Sequence, residues 1–199
     1  MIHGPFSIPI YESMVEEPHF SKIQAEFATV AEKLKNNNAF QHNEKWMPNT
    51  HKISDPTFRT NLIEEENLVE FKNVLMHHVY QYTSMLGMDF EKSKVFRIHE
   101  SWMTNTGKGE YAHIHHHHLS TDLSGAYYYK TSGDDGEIFF MNPCPMFSTF
   151  LLEHLTNNFS IKPQVGKLLL FPSWLEHGVH INNTNHERLS VSFNIDFKR

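Results

Sequence analysis

SGAYYYKTSGDDGEIFFM, running from Ser124 to Met141, sets two runs of aromatic and aliphatic residues on either side of Gly133-Asp134-Asp135-Gly136. Short runs of this composition bounded by Gly and Asp read as strands joined by a turn. Residues 124–130 and 136–141 are therefore expected to form a hairpin whose loop is solvated and whose acids carry no chemistry. The same character recurs outward at 95–103, 110–118, 166–171 and 188–197. Six short strands at such spacing predict a sandwich or jelly-roll barrel.

Upstream the period changes. From Pro18 onward, Phe20, Ile23, Phe27, Val30 and Leu34 recur at three- and four-residue steps until Asn36-Asn37-Asn38 interrupts them. Leu68, Phe71, Leu75, Val79 and Tyr82 form a second stripe between about Glu65 and Leu86, closing near Gly87. Both are amphipathic helices whose stripes face a core. Residues 39–62, with Trp46 and two prolines, read as irregular with room for a short strand. The fold class is α+β: a double-stranded β-helix, or jelly roll, backed by two N-terminal helices. At 199 residues the chain fits one domain, helical over 1–90 and jelly-roll over 91–199.

Composition narrows the partners. Lys and Arg number 17 against 23 Asp and Glu, a net charge of −6, which weighs against a non-specific nucleic-acid binder because such proteins neutralise phosphates with clustered cations. The lone cysteine, Cys144, excludes an intramolecular disulfide and a multi-cysteine zinc site, as suits a reducing compartment. The start Met1-Ile2-His3-Gly4-Pro5 has neither the basic nor the apolar region of a signal peptide. No apolar run approaches the ~20 residues that span a bilayer, so a cytoplasmic location and no membrane partner are expected.

Sixteen histidines call for a reason, and five fall in Tyr111-Ala112-His113-Ile114-His115-His116-His117-His118. On a strand, alternate residues share a face. His116 and His118 would point one way, and His113, His115 and His117 the other. Two imidazoles two residues apart can converge on one metal ion. A third ligand then has to come from elsewhere, and His177 is the best placed, following the apolar strand Leu168-Leu169-Leu170-Phe171 and the turn Pro172-Ser173-Trp174-Leu175-Glu176. His42-Asn43-Glu44 is the only His-x-Glu in the chain but lies outside the strand-rich half, so it is set aside. Eleven residues beyond His177, Arg188-Leu189-Ser190 opens an alternating strand. An arginine grips a carboxylate through two parallel charge-assisted bonds, and a serine two residues on shares its face, which makes a cradle for a diacid.

Residues 98–197 resemble the 2-oxoglutarate and Fe(II)-dependent oxygenase superfamily, and within it a branch with many phage and bacterial members. The resemblance is carried by Trp102 to Asn105, the His-x-His before Leu123-Ser124-Gly125-Ala126-Tyr127-Tyr128-Tyr129, Gly136 to Pro143, and Val165-Gly166 through His177 to Arg188-Leu189-Ser190. It implies His177 as the distal ligand of a facial triad, with Arg188 and Ser190 holding the far carboxylate of 2-oxoglutarate. Counting back from Ser124-Gly125 aligns His116 and His118 with the branch's His-x-His. The superfamily's usual carboxylate is missing. Either His118 takes its place in a three-histidine site, the preferred reading, or Asp122 completes a shell begun by His116 and His177.

The implied chemistry couples hydroxylation of an unidentified substrate to O2-dependent decarboxylation of 2-oxoglutarate to succinate. It requires no acid–base side chain beyond the metal centre. Tyr127 and Tyr129 share a strand face from which a phenol would reach the co-substrate, and Trp102 and Asn105 would line the mouth. Two rivals stand beside this reading. One is a three-histidine cupin-like dioxygenase that needs no 2-oxoglutarate; the other is a non-enzymatic metal-binding jelly roll. Substrate and oligomeric state are not legible in the sequence, and a phage origin, which would place the enzyme in a host cytoplasm, is suggested by resemblance alone.

Overall fold

A computed structural model describes residues 7–43, 49–55, 60–88, 96–117, 121–143 and 158–197. In chain order the elements are β1 (Tyr11–Met14), α1 (His19–Asn36), β2 (Gln41–His42), β3 (Lys52–Ile53), α2 (Leu62–Glu65), α3 (Val69–Met85), β4 (Phe96–Thr106), β5 (Ala112–His115), β6 (Leu123–Lys130), β7 (Ile138–Met141), β8 (Asn158–Ile161), β9 (Lys167–Pro172), β10 (His177–Val179) and β11 (Arg188–Phe197). They form two facing sheets: a seven-stranded one in the order β1-β9-β6-β11-β4-β3-β2 and a four-stranded one in the order β5-β10-β7-β8. This is the jelly roll, with the helices on the outer face of the larger sheet.

The alternation of β11 shows how one strand serves two compartments. Leu189, Val191, Phe193 and Ile195 join Ile23, Phe27, Phe71 and Leu75 of the helices in the main core. Arg188, Ser190, Ser192 and Asn194 point the other way and line the cavity between the sheets. β9 is apolar throughout because both its faces are buried: Leu168 and Leu170 pack under the helices, Leu169 and Phe171 between the sheets. Phe27, Phe71 and Tyr127 meet where helices and sheet join, with ring centroids 4.8 to 5.5 Å apart.

α1 follows the expected stripe and ends where Asn38 takes φ +50°. The second helix begins later than predicted because Asn67, at φ +52°, separates α3 from the single turn of α2. The Glu26 carboxylate of α1 caps α3, accepting hydrogen bonds from the Glu70 and Phe71 amides at 2.8 and 3.0 Å, where it also offsets the positive end of the helix dipole.

Two expectations are corrected. The N-terminal part is not only helical: β1 extends the large sheet beside β9, and β2 and β3 extend it beyond β4. Nor do 124–130 and 136–141 form a hairpin, since β6 belongs to the large sheet and β7 to the small one. The turn between them is a corner that crosses sheets. Asp135 there is fully buried rather than solvated, accepting bonds from Thr131 Oγ1 at 2.5 Å and the Ser132 amide at 2.7 Å.

Gly125 sits where the sheet leaves no room for a side chain. A Cβ there would sit 2.4 Å from both the Leu169 carbonyl oxygen and the Phe193 ring. Gly125→Ala is therefore expected to destabilise the protein by about 1–3 kcal/mol, read as a lowered urea midpoint. An unchanged midpoint would mean β6 and β9 have slack that the packing does not show.

Candidate metal and co-substrate site

The cavity between the sheets is walled on one side by residues of β5 and β10 and on the other by β4, β6 and β11. β10 pairs antiparallel with β5, setting His177 opposite His115. The chain then leaves the strand, and the His117 amide donates to the Ser173 carbonyl at 2.8 Å, which returns the His117 ring to the same side. That turn is itself anchored by the Ser173 hydroxyl donating to the Thr121 carbonyl. As a result, one nitrogen from each of His115, His117 and His177 lies within 4.8 Å of the others, a spacing that three ligands of a single metal ion can adopt.

The rings are pre-oriented. His177 Nδ1 lies 2.9 Å from the Leu175 carbonyl and His115 Nδ1 lies 2.8 Å from the His113 carbonyl. A carbonyl oxygen can only accept, so each Nδ1 carries the proton and each Nε2 presents a lone pair. Phe171 packs edge-on to His177 at 4.7 Å, and Trp102 flanks His117 at 6.1 Å. Burial and the neighbouring imidazoles push His177 well below its ordinary pKa, and the same causes bring His117 to about 3. His115 is lowered as well, chiefly by burial. The three rings are neutral near pH 7, the form in which imidazole binds a metal.

Deeper in the cavity Arg188 is buried, with 1% of its surface exposed. Its Nη1 donates to the Gly136 carbonyl at 2.5 Å and its Nη2 to Thr106 Oγ1 at 3.0 Å. Arg188 Nε and Thr104 Oγ1 are both buried without a hydrogen-bond partner among the described residues. Within that set no carboxylate lies within ion-pairing distance of Arg188. Ser190 pairs with Thr104 on one side and Tyr128 on the other, bringing their side chains to the same face. A buried guanidinium with an unmet donor, flanked by hydroxyls, is a seat for an anion.

The placement of the candidates differs from expectation by one residue in two strands. His116 is exposed and lines a rim recess with Trp174 and Glu176, away from the triad, while His118 lies outside the described residues. Asp122 does not reach the centre; it accepts a bond from the Phe197 amide at 2.8 Å. Tyr127 and Tyr129 face the helices, with Tyr127 Oη accepting from Gln24 Nε2 at 3.2 Å. Tyr128 faces the cavity, and burial pushes its phenol up to about 12. Arg188, Ser190 and Trp102 lie where expected, but Asn105 turns outward to Glu187 at 3.4 Å. His42 of the set-aside His-x-Glu bonds the Thr50 carbonyl instead, and Glu44 lies outside the described residues. His51 and Thr104, both lining the cavity, were not foreseen. Pairing an alternating strand against Arg188-Leu189-Ser190 puts every second residue of its neighbour on the cavity face, and that is the sequence signal for Thr104.

The jelly roll thus holds one buried and two partly buried histidines, spaced as ligands of a single metal ion, in the same cavity as a buried arginine. Residues 100–194, just under half of the chain, match the family described as "Putative 2OG-Fe(II) oxygenase". Its metal and co-substrate are accordingly Fe(II) and 2-oxoglutarate, and the chain is an oxidoreductase. No curated protein sequence matches it. Among solved structures it is similar to the epimerase SnoN in complex with Fe3+, alpha ketoglutarate and nogalamycin RO (TM-score 0.65, 11% identity, 95% of this chain and 79% of that one). It is also similar to a Pseudomonas putida prolyl-4-hydroxylase (TM-score 0.59, 14% identity, 97% and 94%). A third is HygX from Streptomyces hygroscopicus with nickel and 2-oxoglutarate bound (TM-score 0.59, 12% identity, 95% and 82%). At such identities the likeness is one of fold. No helix among the described residues is long and apolar enough to cross a membrane.

The buried imidazoles set a pH dependence. Below pH 6.5 the unfolded chain takes up protons on His51 and His117, whereas the folded metal-free protein does so only near pH 3. Stability is therefore fully present above about pH 6.5 and falls as pH drops from there toward 3, by up to about 1.4 kcal/mol per pH unit for each group. Urea midpoints of metal-free protein at pH 7.5 and 5 check this. Equal midpoints would show that these rings are solvated.

Proposed function

We propose that the protein hydroxylates an as yet unidentified substrate, with Fe(II) held by His115, His117 and His177 and the far carboxylate of 2-oxoglutarate held by Arg188, Ser190 and Thr104. The observation that carries this reading is the single cavity in which three neutral, pre-oriented imidazoles face a buried guanidinium with an unmet Nε donor. A three-histidine dioxygenase that works without 2-oxoglutarate would have no use for Arg188 at that position, and a purely structural jelly roll would have no reason to leave it unpaired.

When bound, Fe(II) and 2-oxoglutarate supply oxygen activation, coupled to decarboxylation of the co-substrate to succinate. The chain's own residues do the rest. Neutral ligands leave the ion's full double charge in place, which draws the dianionic co-substrate more strongly than a centre with a carboxylate ligand would. Arg188 offsets the charge at the far end, and the Gly136 carbonyl and Thr106 hydroxyl fix the orientation of its planar guanidinium. Phe171 and Trp102 pack against the His177 and His117 rings and limit their movement. We treat the chain as a single oxygenase domain acting in the cytoplasm, where 2-oxoglutarate is at hand and ferrous iron is maintained.

Fe(II)-dependent conversion of 2-oxoglutarate to succinate and CO2 by the purified protein tests the reaction. His117→Ala is expected to lose Fe(II) affinity by about 10- to 100-fold or more, while His116→Ala binds Fe(II) as the wild type does. Anaerobic metal titration reads both. Metal loss in His116→Ala with retention in His117→Ala would overturn the ligand set.

A further inference from the structure

We propose that Glu100, at the end of the cavity wall opposite Arg188, is a specificity-determining residue that selects a substrate carrying a cationic group, an ammonium or a guanidinium. The inference rests on the oxygenase reading above and deepens it by naming the chemical class of the substrate.

The large-sheet wall of the cavity can be followed along β4. Thr106, Thr104, Trp102 and Glu100 are alternate residues, and they pair in that order with Arg188, Ser190, Ser192 and Asn194 of β11. Directly paired residues share a face of the sheet, and all four β11 partners line the cavity. Arg188 stands at one end. The Trp102 ring, 6.1 Å from that of His117, marks the level of the metal side. Glu100 comes two residues beyond it, roughly 7 Å further along the strand. The wall thus carries a cation on one side of the metal level and a carboxylate on the other, which sorts two ligands of opposite charge to opposite ends.

Glu100 is fixed in place by neutral groups. Asn194, 1% exposed, donates from Nδ2 to Glu100 Oε1 at 2.6 Å. Asn194 Oδ1 accepts from the Ser124 hydroxyl at 2.6 Å, and Ser124 is also buried and lines the cavity. This chain of bonds across β6, β11 and β4 orients the carboxylate without neutralising it. Among the described residues no cation lies within ion-pairing distance of Glu100. Its neighbours in the strand, Arg97 and His99, both pair with Asp196. Glu100 is half-buried, and a carboxylate in that position attracts a cation more strongly than one in open water. Trp102, one pair nearer the metal, supplies an aromatic ring that suits the same charge.

The test uses anaerobic protein loaded with Fe(II) and 2-oxoglutarate, titrated with butylammonium, butylguanidinium and uncharged 1-pentanol while the visible charge-transfer band is followed. Both cations are expected to perturb the band and to saturate, whereas 1-pentanol has no effect at concentrations about tenfold higher. Glu100→Gln keeps an oxygen that accepts from Asn194 but removes the charge. It is expected to weaken both cations by about tenfold or more and to leave the Fe(II) and 2-oxoglutarate affinities unchanged. Glu100→Asp, which keeps the charge on a shorter arm, retains part of the cation affinity, and thermal melting of both variants shows that the fold is kept. A wild type that ignores both cations, a response to 1-pentanol equal to theirs, or unchanged cation affinity in Glu100→Gln overturns the proposal. A wild type that forms no band with 2-oxoglutarate overturns instead the oxygenase reading on which the proposal stands.

Discussion

The pairing of His115 with His177 across β5 and β10 is the constraint on which the site depends. It is a backbone event: two short strands at the end of the smaller sheet come into register, and two imidazoles meet as a consequence. The remaining features hold that register. The Leu175 and His113 carbonyls fix the tautomers, the Ser173 carbonyl pins the chain after His115, and aromatic rings close the space behind. These contacts hold three neutral rings, one buried and two partly buried, at the spacing that ligands of one metal ion can adopt.

The opposite wall is organised by a different device. Arg188 opens β11 in the large sheet, but its guanidinium is gripped by the Gly136 carbonyl at the corner where the chain passes from β6 to β7. That corner also buries Asp135, whose carboxylate is absorbed by its own turn instead of pairing with Arg188. The Arg188 guanidinium is thereby left without a direct carboxylate partner among the described residues, with Asp135 acting on it only as a nearby charge. The large sheet bears the helices on one face and the cavity on the other, so packing on the helical side and chemistry on the inner side are set by the same alternation of residues.

That alternation explains what the sequence disclosed and what it hid. The helices, the six predicted strands and the jelly roll were legible because each rests on a local pattern, and so was the placement of His177, Arg188 and Ser190 on the cavity wall. The choice between His115/His117 and His116/His118 was not. Successive histidines satisfy either parity, and counting back from Ser124 crosses 118–120, so only pairing with β10 distinguishes the two sets. The same one-residue ambiguity put Tyr127 and Tyr129 in the cavity in place of Tyr128, since three tyrosines in a row read alike from either face. β1, β8 and β10, of three or four residues each, are too short to show a period, and their partners are distant in sequence. The corner at 133–136 has the composition of a hairpin turn; only the division of β6 and β7 between two sheets reveals its true task.

Titrating anaerobic Fe(II)-loaded protein with 2-oxoglutarate, and following the visible charge-transfer band of the chelated complex, tests whether one cavity holds a histidine-bound iron and a co-substrate anchored by Arg188. The band is expected in the wild type, and in Arg188→Ala the same iron content with the band appearing only at 2-oxoglutarate concentrations about tenfold higher or more. Iron binding with no band in the wild type, or an unshifted titration in Arg188→Ala, would contradict it.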